Sequence, residues 1–269
     1  LGLAHRGLDG VATRDIRLKA PRTNMANEVG LDEAARGRRL PRGWRIYAVG
    51  DIHGRLDLLD QVIGAIYDDT RAEPRPTPLL VFLGDYVDRG PDSATVLDRL
   101  LELREIWPVQ CLLGNHEGYL LRFLERPALY GEWSALGGRE TLRSYGLEAP
   151  PRPSPRELSR LRDALAQASA RHLPFLSSMP SSFSIGDFFF CHAGVRPGVP
   201  LAWQDPADLV TIREPFLSHR EDFGKLVIHG HTPSPAPAIR LNRIGIDTGA
   251  YTTARLTCLV LEDQNLRFL

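Results

Sequence analysis

The chain has 269 residues, a length that fits one large domain or two small ones and suffices to bury a substantial core. Its 43% hydrophobic and 25% charged residues are those of a globular protein, and a formal net charge of zero leaves no global basic field to hold nucleic acid or a membrane surface. No apolar run approaches the roughly 20 residues of a membrane helix and no apolar leader core opens the chain, so neither is expected.

Residues 1–43 carry nine Arg or Lys against five Asp or Glu and show no sustained hydrophobic period. A flexible basic tail is expected over 1–43, and a folded domain over 44–269. Met25 is one of only two methionines in a chain that begins with leucine, and a start near Met25 is one reading to consider. From Trp44 the texture changes. Arg45–Val49 reads as a buried strand, Leu56–Asp68 as a helix with Leu58, Leu59, Val62, Ile63 and Ile66 on one face, and Leu79–Leu83 as the next strand. Ser93 is the expected cap of a helix through Leu97, Leu100, Leu101 and Ile106, and Val109–Leu113 the third strand. Strands alternating with amphipathic helices predict an α/β architecture with parallel pairing. The stretch from Gly118 to about Ser182 reads as mostly helical, broken by the proline-rich segment 150–155. Ser184–Cys191, Leu226–Ile228, Ile244–Asp247 and Leu256–Glu262 read as antiparallel strands of a second sheet.

Five short motifs sit after apolar strand-like runs: Gly50-Asp51-Ile52-His53-Gly54, Gly84-Asp85-Tyr86-Val87-Asp88-Arg89-Gly90, Gly114-Asn115-His116-Glu117, Cys191-His192-Ala193-Gly194 and His229-Gly230-His231-Thr232. Carboxylate, amide and imidazole are the donors that divalent first-row metals prefer, and strand ends place them along one crevice. The spacing assigns one ion to Asp51, His53 and Asp85, and a second to Asp85, Asn115, His192 and His231, with Asp85 bridging. Two divalent cations bring four positive charges and the two aspartates return two negatives, which leaves a positive centre for a phosphate dianion. Two ions about 3.5–4 Å apart activate a shared water and clamp an in-line displacement. Manganese is the first expectation, with iron or zinc as alternatives. His5, His172 and His219 belong to no motif.

The motif set resembles the phosphoprotein phosphatase family, in the bacterial serine/threonine type, within the calcineurin-like metallophosphoesterase superfamily. The resemblance covers about residues 44–260. It implies two mixed β-sheets packed as a sandwich flanked by helices, the metal ligands given above, and His116 as the general acid that protonates the leaving group. It also implies Asp88 as the carboxylate that orients His116, and Arg89 as a planar fork for phosphate oxygens. Arg213 is the matching candidate for a second phosphate-binding arginine, and Asn115 reaches both metal and phosphate. His229 is left with a substrate contact or no role. Pro233 stands where many phosphodiesterases have a second metal-binding histidine, which points to phosphomonoesters. Asp247-Thr248-Gly249-Ala250-Tyr251 also looks like bacterial members, with Ala254 where a glycine is expected.

The expected function is hydrolysis of phosphoserine or phosphothreonine on a phosphorylated protein substrate, by direct attack of metal-bound hydroxide, with no nucleic-acid or membrane partner. A tyrosine-directed phosphatase and a dinucleoside polyphosphate (diadenosine tetraphosphate) hydrolase are the alternative enzymes, and a silent phosphate-binding scaffold the alternative class. Cys111, Cys191 and Cys258 lie in apolar runs and read as buried reduced thiols, which fits a cytoplasmic protein.

Overall fold

The computed structural model describes residues 25–269, with side chains from residue 30 onward. In the first sheet, β1 (Trp44–Val49) lies between β2 (Thr77–Phe82), which runs parallel to it, and the antiparallel β9 (Cys258–Glu262). β3 (Val109–Cys111) extends the sheet beside β2, and β10 (Asn265–Phe268) beside β9. In the second sheet, β4 (Ser182–Ile185) and β5 (Phe188–Cys191) form a hairpin. β6 (Leu226–His229) and β8 (Arg243–Gly245) run parallel to β5, and β7 (Ala238–Ile239) closes the edge antiparallel.

The period of two along a strand divides the core. Tyr47 and Val49 of β1, with Leu80 and Phe82 of β2, face a helical layer. That layer includes α2 (Leu56–Ala72), α3 (Ser93–Leu103), α4 (Asn115–Glu125) and α7 (Pro155–Ala168). Ile46, Ala48, Leu79 and Val81 point the other way and meet Phe188, Phe190 and Ile228 of the second sheet. Phe189, Cys191 and Val227 turn outward again onto a third cluster that contains Leu209 of α9 (Pro206–Thr211). Burial on both faces is what parallel strands with near-continuous apolar sequence require. The two mixed sheets with outer helices match the expected fold class.

Several expectations are corrected. Within 1–43, residues 25–35 form helix α1 (Met25–Ala35), and Leu31, Ala34, Ala35 and Leu40 are buried in the core between the sheets. The expected tail therefore does not extend to residue 43, and residues 1–24 lie outside the described part. The strand at Cys258–Glu262 belongs to the first sheet, paired to β1, and the second sheet is mixed. Ser184–Cys191 is part of a hairpin that turns at Gly186, not one strand. Asp92 occupies the cap position of α3, and the Ser93 hydroxyl instead accepts from the backbone N of Asp88 at 3.0 Å. All three cysteines are free and buried. No helix among the described residues is long and apolar enough to cross a membrane.

Candidate metal centre

β1, β2 and β3 of one sheet and β5, β6 and β8 of the other deliver their C-terminal ends to one crest, and every predicted site residue but Arg213, which comes after α9, follows one of these strands. The turns there are tight. Among the described residues seven non-glycine positions have positive φ, and five are His53, Asp85, Asp88, Arg89 and His231. Left-handed backbone at ordinary residues costs on the order of 1–3 kcal/mol each and persists where the surroundings impose it. Glycines permit the close approach: a Cβ on Gly84 (φ 109°) would stand 2.7 Å from Gly114 Cα and 2.9 Å from His192 Nδ1, and one on Gly230 would collide with the Asp51 carboxylate.

Asp85 lies at the middle. Its Oδ2 is 3.3 Å from His192 Nε2, 3.6 Å from His53 Nε2 and 3.8 Å from His116 Nε2. The donor atoms of His53, Asp85 and His116 lie within 4.8 Å of one another, as do those of Asp85, His192 and His231, so Asp85 is common to both groups. Asn115 Oδ1 is 3.0 Å from His192 Nε2. On the other flank the Asp51 carboxylate accepts from the backbone N of His231 at 3.0 and 3.3 Å, and Asp247 stands beside it. Backbone carbonyls set the imidazoles: His53 Nδ1 donates to Val87 O and His192 Nδ1 to Leu83 O, both at 2.9 Å. That leaves each Nε2 turned toward Asp85, the arrangement by which outer partners orient metal-binding histidines.

The electrostatics fit cations. Burial keeps His53 and His231 neutral, pushed down to about 3. Burial also opposes charge on His192, but Asp85 and Asp51 outweigh it and lift that ring to about 10. Burial, with Asp247 and Asp85 nearby, raises Asp51 well above the carboxylate range. Protons thus balance this set of charges, and metal ions compete for the same positions. Nitrogen and oxygen donors in two groups sharing one carboxylate fit a pair of divalent cations; the first group holds His116 where the sequence reading had Asp51, which stands outside both groups against the His231 backbone.

His116 stands beside this cluster. Its Nδ1 donates to Asp88 Oδ2 at 2.7 Å, and Arg89 Nη2 donates to its Nε2 at 3.1 Å. Asp88 is fully buried and held on all sides: Trp133 Nε1 donates to both its oxygens at 3.1 Å, and Thr141 Oγ1 to Oδ1 at 2.6 Å. Against the effect of burial, Asp85 and Asp88 raise the pKa of His116. Arg213 is exposed at the rim, its Nη2 donating to His231 O at 3.3 Å. His229 is sealed off against Phe216, and its Nε2 has no partner among the described residues.

Sequence reading missed the supports. Glu117 is buried and accepts from four backbone N–H groups, those of Gly114 (3.0 Å), Asp85 (2.9 Å), Tyr86 (2.8 Å) and Val87 (3.2 Å). It ties the second motif to the third and fixes where Asp85 points. Its capping-box place three residues after Gly114 was the available signal. Trp133 and Thr141 come from the helical middle, Trp133 on α5 (Tyr130–Trp133) and Thr141 on α6 (Arg139–Ser144), and no motif marks them.

The parallel strand ends of the sandwich thus converge on two groups of nitrogen and oxygen donors that can hold metal ions. The chain belongs to the calcineurin-like phosphoesterase family, whose model matches residues 45–262. It is 26% identical over 235 residues to an asymmetrical bis(5'-nucleosyl)-tetraphosphatase of Anoxybacillus flavithermus, a match covering 78% of this chain and 88% of that one. Identity is 35% to a symmetrical bis(5'-nucleosyl)-tetraphosphatase of an Acidovorax species and 29% to a zinc-dependent endopolyphosphatase of Saccharomyces cerevisiae. Each of these matches covers 56% of this chain but less than half of the relative, 44% and 47% respectively. Among solved structures, a putative diadenosine tetraphosphatase aligns with a TM-score of 0.57 at 21% identity, covering 84% of this chain and 92% of that one. A mutant cold-active protein tyrosine phosphatase aligns at 0.53 and 15%, covering 88% and 84%. These two likenesses bear on the fold.

Proposed function

We propose that this chain is a metal-dependent hydrolase of dinucleoside polyphosphates, cleaving a phosphoanhydride bond. The observation that carries the reading is the match along 88% of an asymmetrical bis(5'-nucleosyl)-tetraphosphatase, on a crest where Asp85 is shared by two groups of ligand atoms. Asp51, His53 and Asp85 would hold one cation and Asp85, Asn115, His192 and His231 the other, with manganese the expected metal. Such a pair supplies Lewis-acid charge and an activated water. Arg89 and Arg213, beside the donor cluster, would clamp the non-bridging oxygens of neighbouring phosphoryl groups along the chain.

A second reading, phosphomonoester hydrolysis on phosphoproteins, is favoured by the Asp88–His116 pair. An alkoxide leaving group must be protonated as it departs, whereas a nucleotide phosphate leaves with little help. Manganese-loaded protein should be assayed in parallel on diadenosine tetraphosphate and on phosphoserine and phosphotyrosine peptides, with nucleotide products separated by anion exchange. The expected result is ATP plus AMP at a kcat/KM well above that on any peptide. Peptide turnover that exceeds dinucleotide turnover would replace the first reading with the second.

A further inference from the structure

The Asp247–Tyr251 segment leads into α10 (Ala250–Thr253), a single helical turn that presents an aromatic ring to the centre. The turn is exposed from Tyr251 to Arg255, yet it is tied down at many points. Thr252 and Thr253 backbone N–H groups donate to Gly249 O at 2.9 Å, and Thr253 Oγ1 to Thr248 O at 2.8 Å. Gly249 N donates to Asp247 Oδ1 at 2.8 Å, and Arg55 Nη1 to Ala250 O at 3.0 Å. Left-handed residues, Gly249 and Ala254, bracket it. So many bonds on a short surface turn fix a direction, and the direction is that of Tyr251.

Tyr251 is 39% exposed, and its ring makes two contacts at the centre. The Arg89 guanidinium carbon lies 4.7 Å from the ring centroid, over its face. The His53 ring meets it at 5.5 Å between centroids and an interplanar angle of 80°. Arg89 forms no salt bridge among the described residues. Its side chain is placed by the Tyr251 face on one side and by the bond to His116 Nε2 on the other. His116 uses one N–H of the Arg89 fork, and a phosphate that takes both arms of the fork would draw Arg89 off the imidazole. The aromatic face is the contact that can persist through that exchange.

We infer that Tyr251 is a positioning residue: its ring is the platform on which Arg89 turns from His116 to the substrate phosphate, and it sets phosphate affinity. The inference rests on the reading of Arg89 as a phosphate-binding residue. A guanidinium–aromatic contact of this kind changes an equilibrium by roughly two- to tenfold, and tryptophan offers the strongest face.

The test uses the full chain loaded with manganese, with inorganic phosphate titrated calorimetrically into wild type, Tyr251→Phe, Tyr251→Trp and Tyr251→Leu. Phe should bind within about twofold of wild type and Trp as well or better, while Leu should bind roughly three- to tenfold more weakly. On p-nitrophenyl phosphate, Leu should raise KM by the same factor with kcat within about twofold, and in an Arg89→Ala background it should have no further effect. Leu binding as tightly as wild type, or a Leu effect that simply adds to Arg89→Ala, overturns the platform. If the Leu variant does not fold, a Trp variant that binds several-fold more weakly than Phe overturns it instead. Equal phosphate affinity in wild type and Arg89→Ala refutes the underlying role of Arg89. Both outcomes are independent of whether diadenosine tetraphosphate is a substrate.

Discussion

His116 and His172 are both buried, and each has a carboxylate against one ring nitrogen: Asp88 Oδ2 at 2.7 Å from His116 Nδ1, and Asp98 Oδ1 at 3.1 Å from His172 Nε2. Sequence alone gave His172 no motif, and the structure separates the two by what lies on the remaining nitrogen. For His172 it is Tyr145 Oη at 2.6 Å, so both ring positions are used and the imidazole joins α3 to the segments around α6 and α8 (Leu173–Ser177). For His116 it is Arg89, a group that a phosphate would draw away. The carboxylates differ as well. Asp88 is sealed and accepts from Trp133 and Thr141, while the Asp98 side chain is 40% exposed and shared with Arg171. A His–carboxylate pair is therefore not by itself a chemical site; the difference is a second nitrogen that faces the converging donor groups and whose partner, Arg89, is itself a candidate phosphate ligand.

The sharpest contrast comes from the metal. Chelation should take phosphohydrolysis to background, with manganese restoring it, and should lower the melting temperature. An ion at about 100 times its dissociation constant contributes about 2.7 kcal/mol of folded-state stability. Asp85→Asn should lose both bound metal and activity, more severely than Asn115→Ala, because Asp85 belongs to both ligand groups. Metal analysis of the two variants decides it: equal retention would remove the bridging assignment. Next in size is His116→Asn, which should keep metal yet lose roughly 10²–10⁴-fold in turnover on alkyl phosphates. The loss should shrink on p-nitrophenyl phosphate, whose leaving group needs little protonation. Equal losses on the two esters would argue against the acid role. Arg89→Ala should then cost about tenfold or more in kcat/KM on p-nitrophenyl phosphate, since charge-assisted bonds are worth roughly 1.5–3 kcal/mol each. It should cost much less on the bis ester; an unchanged ratio between the two substrates would leave Arg89 only a structural contact.

The motifs were legible because ligand residue types interrupt apolar strands abruptly, and the chain returns each of them to the same crest. What holds them was not legible. Trp133 and Thr141 reach Asp88 from 45 and 53 positions away, on helices of 4 and 6 residues that are too short to show a period. The packing of α1 escaped notice because its buried face is Leu31, Ala34 and Ala35, two of them too small to give a strong hydrophobic period. The placement of β9 escaped it for another reason: its partner is β1, with Val49 against Cys258, and adjacency in sequence carries no information about a pairing that distant. Local chemistry is written locally, and long-range support is not.

The smaller effects test the other half of the comparison. His172→Ala removes the bonds to Tyr145 and Asp98 and should destabilise the fold by about 1–3 kcal/mol, with kcat/KM within twofold of wild type. Denaturant unfolding beside an activity assay checks it; an activity loss as deep as that of His116→Asn would erase the distinction drawn between the two histidines.

Smallest of all is Ala254→Gly. Ala254 has φ 53° and ψ 34° at the end of α10, where the family resemblance leads one to expect glycine. At His53, Asp85 and His231 the same left-handed backbone aims a proposed metal ligand, so replacing the residue to relieve strain would remove the donor with it. The Ala254 methyl has no such task, and its backbone N–H already donates to Ala250 O at 3.1 Å, a bond that glycine would keep. Removing the Cβ relieves a left-handed penalty of roughly 1–2 kcal/mol, against about 0.4–1 kcal/mol of added freedom in the unfolded chain. The balance is a gain of about 0.5–1 kcal/mol, or a rise of roughly 1–4 °C in melting temperature for a chain of this size. Activity should not change. A fall in melting temperature would mean that the turn beneath Tyr251 depends on the stiffness of alanine, and that strain outside the metal ligands also belongs to the working structure.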